Sequence, residues 1–284
     1  MNYFYKIADI EFCIDILWQV KENKSFLPFK VDTISENAYH ISFIKTNELP
    51  NEKGELLFQN NGFAIYKQED GQLVKYFHNN MRDQNVYAYS NATHSDKNII
   101  VYCLNEKYLH DIDGLFFHIG IENILLKENR IYFHSCCVNT EFGGILFSGV
   151  SGSGKSTQGS LWKESGIGKI INGDKTILVK DKHWVGYGSP YAGSSNIYLN
   201  EKCNIKAIVM LKKATACSIR KLNKAEAFRN IYSQIVINLW DETCIQKAID
   251  FAGMLINELD IYEFSCTPDQ NAVAFLKEKL QGEA

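Results

Sequence analysis

The chain is poor in arginine. Only four of its 284 residues are Arg (Arg82, Arg130, Arg220 and Arg229), so few bidentate phosphate forks can be built from its side chains. Proline is equally scarce, at four, and the 19 glycines follow no period, which excludes collagenous and low-complexity architectures. No stretch approaches the roughly 18 apolar residues of a membrane helix. The apolar start is broken by Asp9, Glu11 and Asp15 and has no basic leader, so it does not read as a targeting signal. An excess of one charge is also lacking: 30 Lys plus Arg against 33 Asp plus Glu leave −3. That excludes the basic field that recruits nucleic acid or an anionic membrane. The eight cysteines contain no CxxC spacing, and their one close pair, Cys136-Cys137, is vicinal. They read as reduced, mostly buried thiols of a cytoplasmic protein, not as a disulfide frame or a zinc site.

What is present is an ordinary globular composition, 45% hydrophobic and 22% charged, over a length that suits about two domains. There is no internal repeat. Residues 1–113 read as a small β-rich N-terminal domain, with short strands at 39–44, 62–66 and 99–104 and polar turns at 50–54 and 91–96. No chemistry stands out there. Residues 114–284 read as an α/β domain. A helix is expected over 115–126, strands over 131–138 and 144–148, and a helix over 155–163. A strand pair at 169–179 and 183–187 follows, then a buried strand at 205–211, helices over 224–237 and 241–258, and a strand at 261–265. The closing helix is signed by Thr267 as N-cap, Pro268 at its first position and Gln270 three residues after the cap.

The chemistry lies in Gly149-Val150-Ser151-Gly152-Ser153-Gly154-Lys155-Ser156, which fits the phosphate-binding pattern G-x-x-x-x-G-K-[ST] at every fixed position. Glycines let the backbone curl so that N–H groups turn toward phosphate oxygens, and the following helix adds its positive end. Lys155 supplies a point charge for the β- and γ-phosphates, and the Ser156 hydroxyl can ligate Mg²⁺. Thr157 follows directly, in reach of the same phosphates. The expected context, a strand before the loop and a helix after it, is present.

Asp174 lies 18 residues beyond Ser156, just after an apolar pair. It is assigned the metal together with Ser156, the competing reading being a turn aspartate at a strand end. His134, 15 residues before Gly149, sits between aromatic residues. It is either a satisfied core side chain or a group that contacts or deprotonates a substrate hydroxyl. The segment 188–195 offers Ser189, Ser194 and Ser195 with two glycines, suited either to an anion or to a plain surface turn. Arg220 and Arg229 stand in no motif and are expected on helix surfaces.

A histidine-bearing strand, then G-x-S-G-x-G-K-S, then a strand carrying an aspartate resembles the catalytic domain of HPr kinase/phosphorylase, over about residues 115–280. The resemblance implies a phosphoenolpyruvate carboxykinase-like P-loop fold, ATP and Mg²⁺ as cofactors, and a homo-oligomer. His134 takes the place of the family's histidine. The family's Asp-Asp pair falls on Gly173-Asp174, so its metal-holding aspartate matches Asp174 while its general base is replaced by Gly173. The family's Arg-Gly-Leu-Gly-Ile stretch is not found, and segment 187–196 stands at its place. The chain is similar to a divergent group that includes kinases of ribosomal-peptide biosynthesis.

The expected activity is transfer of the γ-phosphoryl of ATP to a serine-type hydroxyl on a peptide, protein or small metabolite. His134, Lys155 and Asp174 would carry the chemistry, and Gly149, Ser151, Gly152, Ser153, Gly154, Lys155, Ser156 and Thr157 would hold the nucleotide. The alternative is a catalytically reduced nucleotide-binding protein that gates a partner. A phosphorylase or carboxykinase-like reaction ranks last.

Overall fold

The structure is a computed structural model that describes residues 1–51, 54–79, 85–92 and 96–282. Arg82, and residues 52–53 and 93–95 of the two expected turns, lie outside the described residues. The chain forms two compact units, Met1–Ile124 with Leu239–Asp241, and Leu125–Asn238 with Glu242–Ala284.

In the first unit, β1 (Asn2–Ile7), β2 (Ile10–Ile16), β3 (Tyr39–Lys45), β4 (Glu55–Gln59), β5 (Phe63–Lys67), β6 (Leu73–His78), β7 (Val86–Asn91) and β8 (Asn98–Cys103) form one sheet. Its order is β1-β2-β3-β8-β7-β6-β5-β4, with β3 parallel to both of its neighbours. Helix α1 (Ile112–Ile119) belongs here, because Phe116 inserts its ring among Tyr5, Phe12 and Phe26. That packing is why the first unit extends to Ile124, past residue 113. The single helix expected over 115–126 is two. Gly120 ends α1 with φ 68°, which an L side chain resists, and α2 (Ile121–Lys127) starts afresh.

The second unit holds β9 (Arg130–Thr140), β10 (Gly143–Ser148), α3 (Lys155–Glu164), β11 (Gly168–Asn172), β12 (Lys175–Lys180), β13 (Trp184–Tyr187) and β14 (Lys202–Lys213). It continues with β15 (Ser218–Lys221), α4 (Lys224–Tyr232), α5 (Glu242–Glu258), β16 (Asp260–Cys266) and α6 (Gln270–Gln281). The sheet runs β10-β9-β12-β13-β14-β16-β15, with β11 on β9. β14 pairs with β13 through its first residues and lies parallel to both β10 and β16 further on, so the sheet curls back on itself. Two apolar cores flank it. In one, Trp162 of α3 meets Ala272, Val273, Leu276 and Leu280 of α6; in the other, Ala227 and Ile231 of α4 meet Ala248, Phe251 and Leu255 of α5. This is a mixed α/β fold with helices packed against its sheets.

Four expectations are corrected. The strand expected over 169–179 is broken into β11 and β12, because Asn172 turns the chain by accepting from the N–H groups of Asp174 and Lys175. The helix from 224 stops at Tyr232, since the next residues leave to pair with β9: Val236 N–H bonds to Tyr132 O, and His134 N–H to Gln234 O. The closing helix is capped by Asp269, whose carboxylate accepts from Asn271 and Ala272, so Thr267 and Pro268 stand outside it. Arg220 lies on β15, a strand with no counterpart in the sequence reading, while Arg229 is on α4. All eight cysteines are free thiols, seven of them buried. Among the described residues no helix is long and apolar enough to cross a membrane.

Candidate active site

Strand β10 delivers the glycine loop. Its last residue, Ser148, faces Ser135 of β9 and donates its hydroxyl to His134 O at 2.5 Å, tying the loop's entry to the histidine strand. Gly149, Gly152 and Gly154 then take φ 135°, 77° and 107°, left-handed values at three points of a six-residue turn. Backbones that alternate in this way form concavities lined with N–H groups, which suit anions. Helix α3 opens at Lys155 with Gly154 as its N-cap and no side chain capping it. Its first-turn N–H groups are therefore left for a ligand, in the positive field of the helix end. The Lys155 ammonium folds back over the loop, donating to Gly149 O at 2.8 Å.

His134 lies on β9, directly across from Lys175 of β12. It is half-buried, and burial lowers its pKa; the Asp174 carboxylate opposes that shift, while the Lys175 and Lys155 ammonium groups add to it. His134 thus feels Asp174 and Lys155 together, with burial as the leading influence against its protonated form. The Asp174 carboxylate and the Lys155 and Lys175 ammonium groups are within electrostatic reach of the His134 ring.

Asp174 occupies the β11–β12 turn, and its carbonyl accepts from Ser135 N–H at 2.9 Å. β9 stands between β12 and the loop-bearing strand β10, so Asp174 reaches the site from two strands away. On the other side it meets Gly193, where an added Cβ would come within 3.0 Å of the Asp174 Cγ. Asn172 holds this turn. It is fully buried; its Oδ1 takes the two N–H groups already named, and its Nδ2 donates to Ser189 O at 3.0 Å and Tyr191 O at 3.2 Å.

Segment 188–195 is less available than its hydroxyls suggest. Ser189 is fully buried and donates to Lys175 O at 2.5 Å, so it braces the turn and does not face an anion. Ser195 donates to Ala192 O at 2.6 Å and packs against Gly173. Arg220 is engaged by Glu226 and Glu263. Sequence reasoning missed Asn172; its signal was an asparagine directly before Gly173-Asp174.

Among the described residues no group of three or more His, Cys, Asp or Glu gathers to hold a metal. The donors present are the exposed Ser156 hydroxyl and the Asp174 carboxylate. That hard-oxygen pair fits a magnesium ion held mainly by phosphates and water, and does not form a protein cage. A cavity of about 290 Å³ opens beside the loop, walled by Ser153, Gly154 and Gln158 and by the chain after β16.

The second unit is thus a mixed α/β fold with a glycine loop of phosphate-binding pattern joining strand to helix. No family model and no curated protein matches the chain. Among solved structures it is similar to the Hpr(Ser) kinase/phosphatase from Coxiella burnetii, at 11% identity and a TM-score of 0.33, over 54% of this chain and 99% of that one.

Proposed function

We propose that the chain is a cytoplasmic ATP- and magnesium-dependent phosphotransferase of HPr-kinase-like type. Its second unit would be a phosphoenolpyruvate carboxykinase-like P-loop domain, and its acceptor a serine-type hydroxyl on a peptide, a protein or a small metabolite. A ribosomal-peptide precursor is the first acceptor to try. The observation that carries this reading is the glycine loop, with three left-handed glycines, running into the uncapped end of α3 with the Lys155 ammonium folded over it. Phosphoryl transfer is mostly positioning and charge neutralisation, and these groups supply both.

The loop N–H groups and Lys155 bind and orient the triphosphate. Ser156 and Asp174 would hold magnesium, which when bound neutralises charge on the β- and γ-phosphates. His134, whose burial disfavours the charged ring, accepts the proton of the acceptor hydroxyl. The hydroxyl oxygen bonds to the γ-phosphorus as the bond to the β–γ bridging oxygen breaks, and ADP leaves with that electron pair.

A second reading, a nucleotide-binding protein that gates a partner, is favoured by one observation. Position 173, where the resemblance implies a general base, carries no side chain, and Ser195 fills the space. Calorimetry with Mg·ATP, followed by transfer of label from γ-labelled ATP to serine peptides, separates the two. The kinase reading expects transfer that Lys155→Ala abolishes; tight binding without transfer to any acceptor favours the gate.

A further inference from the structure

The cavity beside the glycine loop is separate from the groups that would do the chemistry: Lys155, His134 and Asp174 stand outside its lining. It shares Ser153 and Gly154 with the loop, so a molecule in it is continuous with anything held by the loop's N–H groups. Its other walls are Thr157 and Gln158 on α3, Lys213 and Ala214 at the end of β14, and Cys266, Thr267 and Pro268 at the end of β16. At about 290 Å³ it is at the small end of ligand pockets, the size for a flat ring system and not for a peptide.

Gln158 is the most deeply buried polar side chain of this wall. It is only 2% exposed, on the first turn of α3, one turn past the phosphate loop. Its Nε2 donates to Cys266 Sγ at 3.3 Å and to Thr267 O at 3.5 Å. A carbonyl can only accept, so Thr267 fixes which end of the amide is nitrogen. Oε1 is left buried with no partner among the described residues. A buried acceptor without a donor is costly, and a ligand that brings an N–H group relieves it. The bonds holding Nε2 are long, so a small turn about the last side-chain bond can present Oε1 to the cavity.

After that turn two acceptors, Gln158 Oε1 and Thr267 O, would flank an apolar slot beside the glycine loop, away from His134 and Asp174. We infer that this cavity takes the base of the nucleotide and that Gln158 reads the six-position of a purine, favouring an amino group over an oxo group. The inference rests on the nucleotide reading above and adds the residue that sets base choice. An exocyclic amine donates to these acceptors, whereas an oxo group at the same position meets them as a third acceptor.

The test compares calorimetric binding of tripolyphosphate, ATP and inosine triphosphate to the full chain. The wild type should prefer ATP over inosine triphosphate by about tenfold, the value of one hydrogen bond to a buried group. Gln158→Leu should bring that ratio to within about twofold and leave tripolyphosphate binding unchanged. Because Gln158 is buried, Ala214→Phe at the half-buried rim serves as a second probe. It should weaken both nucleoside triphosphates about tenfold and spare tripolyphosphate. An unaltered ratio in Gln158→Leu, equal binding of the two nucleotides by the wild type, or full ATP affinity in Ala214→Phe would overturn the inference alone. If the wild type binds no tripolyphosphate in a Lys155-dependent way, the nucleotide reading itself falls.

Discussion

Ser195 stands where a side chain at position 173 would have to go. A Cβ added to Gly173 lies 1.8 Å from Ser195 Oγ and 2.4 Å from its Cβ. Ser195 is itself fixed, donating to Ala192 O and accepting from Ile197 N–H at 3.2 Å. The turn that presents Asp174 is thus built around a glycine and its seryl neighbour as a fitted pair.

Gly173→Asp should therefore destabilise the chain by about 1–3 kcal/mol, the usual cost of forcing atoms into a packed site. Adding Ser195→Gly should recover much of the loss, a coupling that a double-mutant cycle in thermal melts measures directly. A single Gly173→Asp variant that melts like the wild type would show that the contact does not keep position 173 small.

Asn172 makes five side-chain bonds from a fully buried position, two accepted from the Asp174 turn and three donated to Ser189 and Tyr191. Asn172→Ala leaves buried donors and acceptors unpaired, with an expected loss of about 2–4 kcal/mol in denaturant unfolding. Transfer should fall further than stability explains, because Asp174 loses its anchor.

The proton-accepting role of His134 has a pH signature. Burial lowers its pKa, so the acid limb of the transfer rate should lie below the usual histidine value of about 6.5. His134→Gln should abolish that limb and slow transfer by about 10²–10⁴-fold. A limb at or above the usual value in a kcat/KM–pH profile would contradict the role.

His118 should make the first unit less stable in acid. Its Nδ1–H donates to Gly114 O at 2.6 Å, so Nε2 must accept from the Tyr87 hydroxyl at 2.9 Å, and the ring is held neutral. Burial, helped by Lys75, lowers its pKa to about 4. The unfolded chain then binds the extra proton between about pH 6.5 and 4, and stability declines as pH falls through that window, by about 3 kcal/mol. His118→Phe should flatten this decline in urea titrations, even though it loses both bonds at neutral pH.

The glycine loop was legible because its pattern is local and dense, and every residue that defines it lies within eight positions. His134 and Asp174 were readable only through their distance from that loop. Asn172 was only half legible: its place before Gly173-Asp174 marks the turn, but its partners Ser189 and Tyr191 are 17 and 19 residues away and no local pattern marks those contacts. The end of α4 was misread for the opposite reason. Phe228, Ile231 and Ile235 keep a helical apolar spacing, yet the first half of β9, beyond the end of β10, offers backbone partners to residues 234 and 236, and those bonds win. Strand β15 escaped notice because four residues at a sheet edge carry little pattern, and their partner β16 follows only after two helices.

The most direct test of the account is the fate of the γ-phosphoryl group, followed with labelled ATP and magnesium in the presence of hydroxyl-bearing peptides. The account predicts an alkali-labile, acid-stable serine phosphoester that Lys155→Ala and Asp174→Asn both eliminate. Label that stays on bound ATP, or appears only as inorganic phosphate with every acceptor, would contradict it.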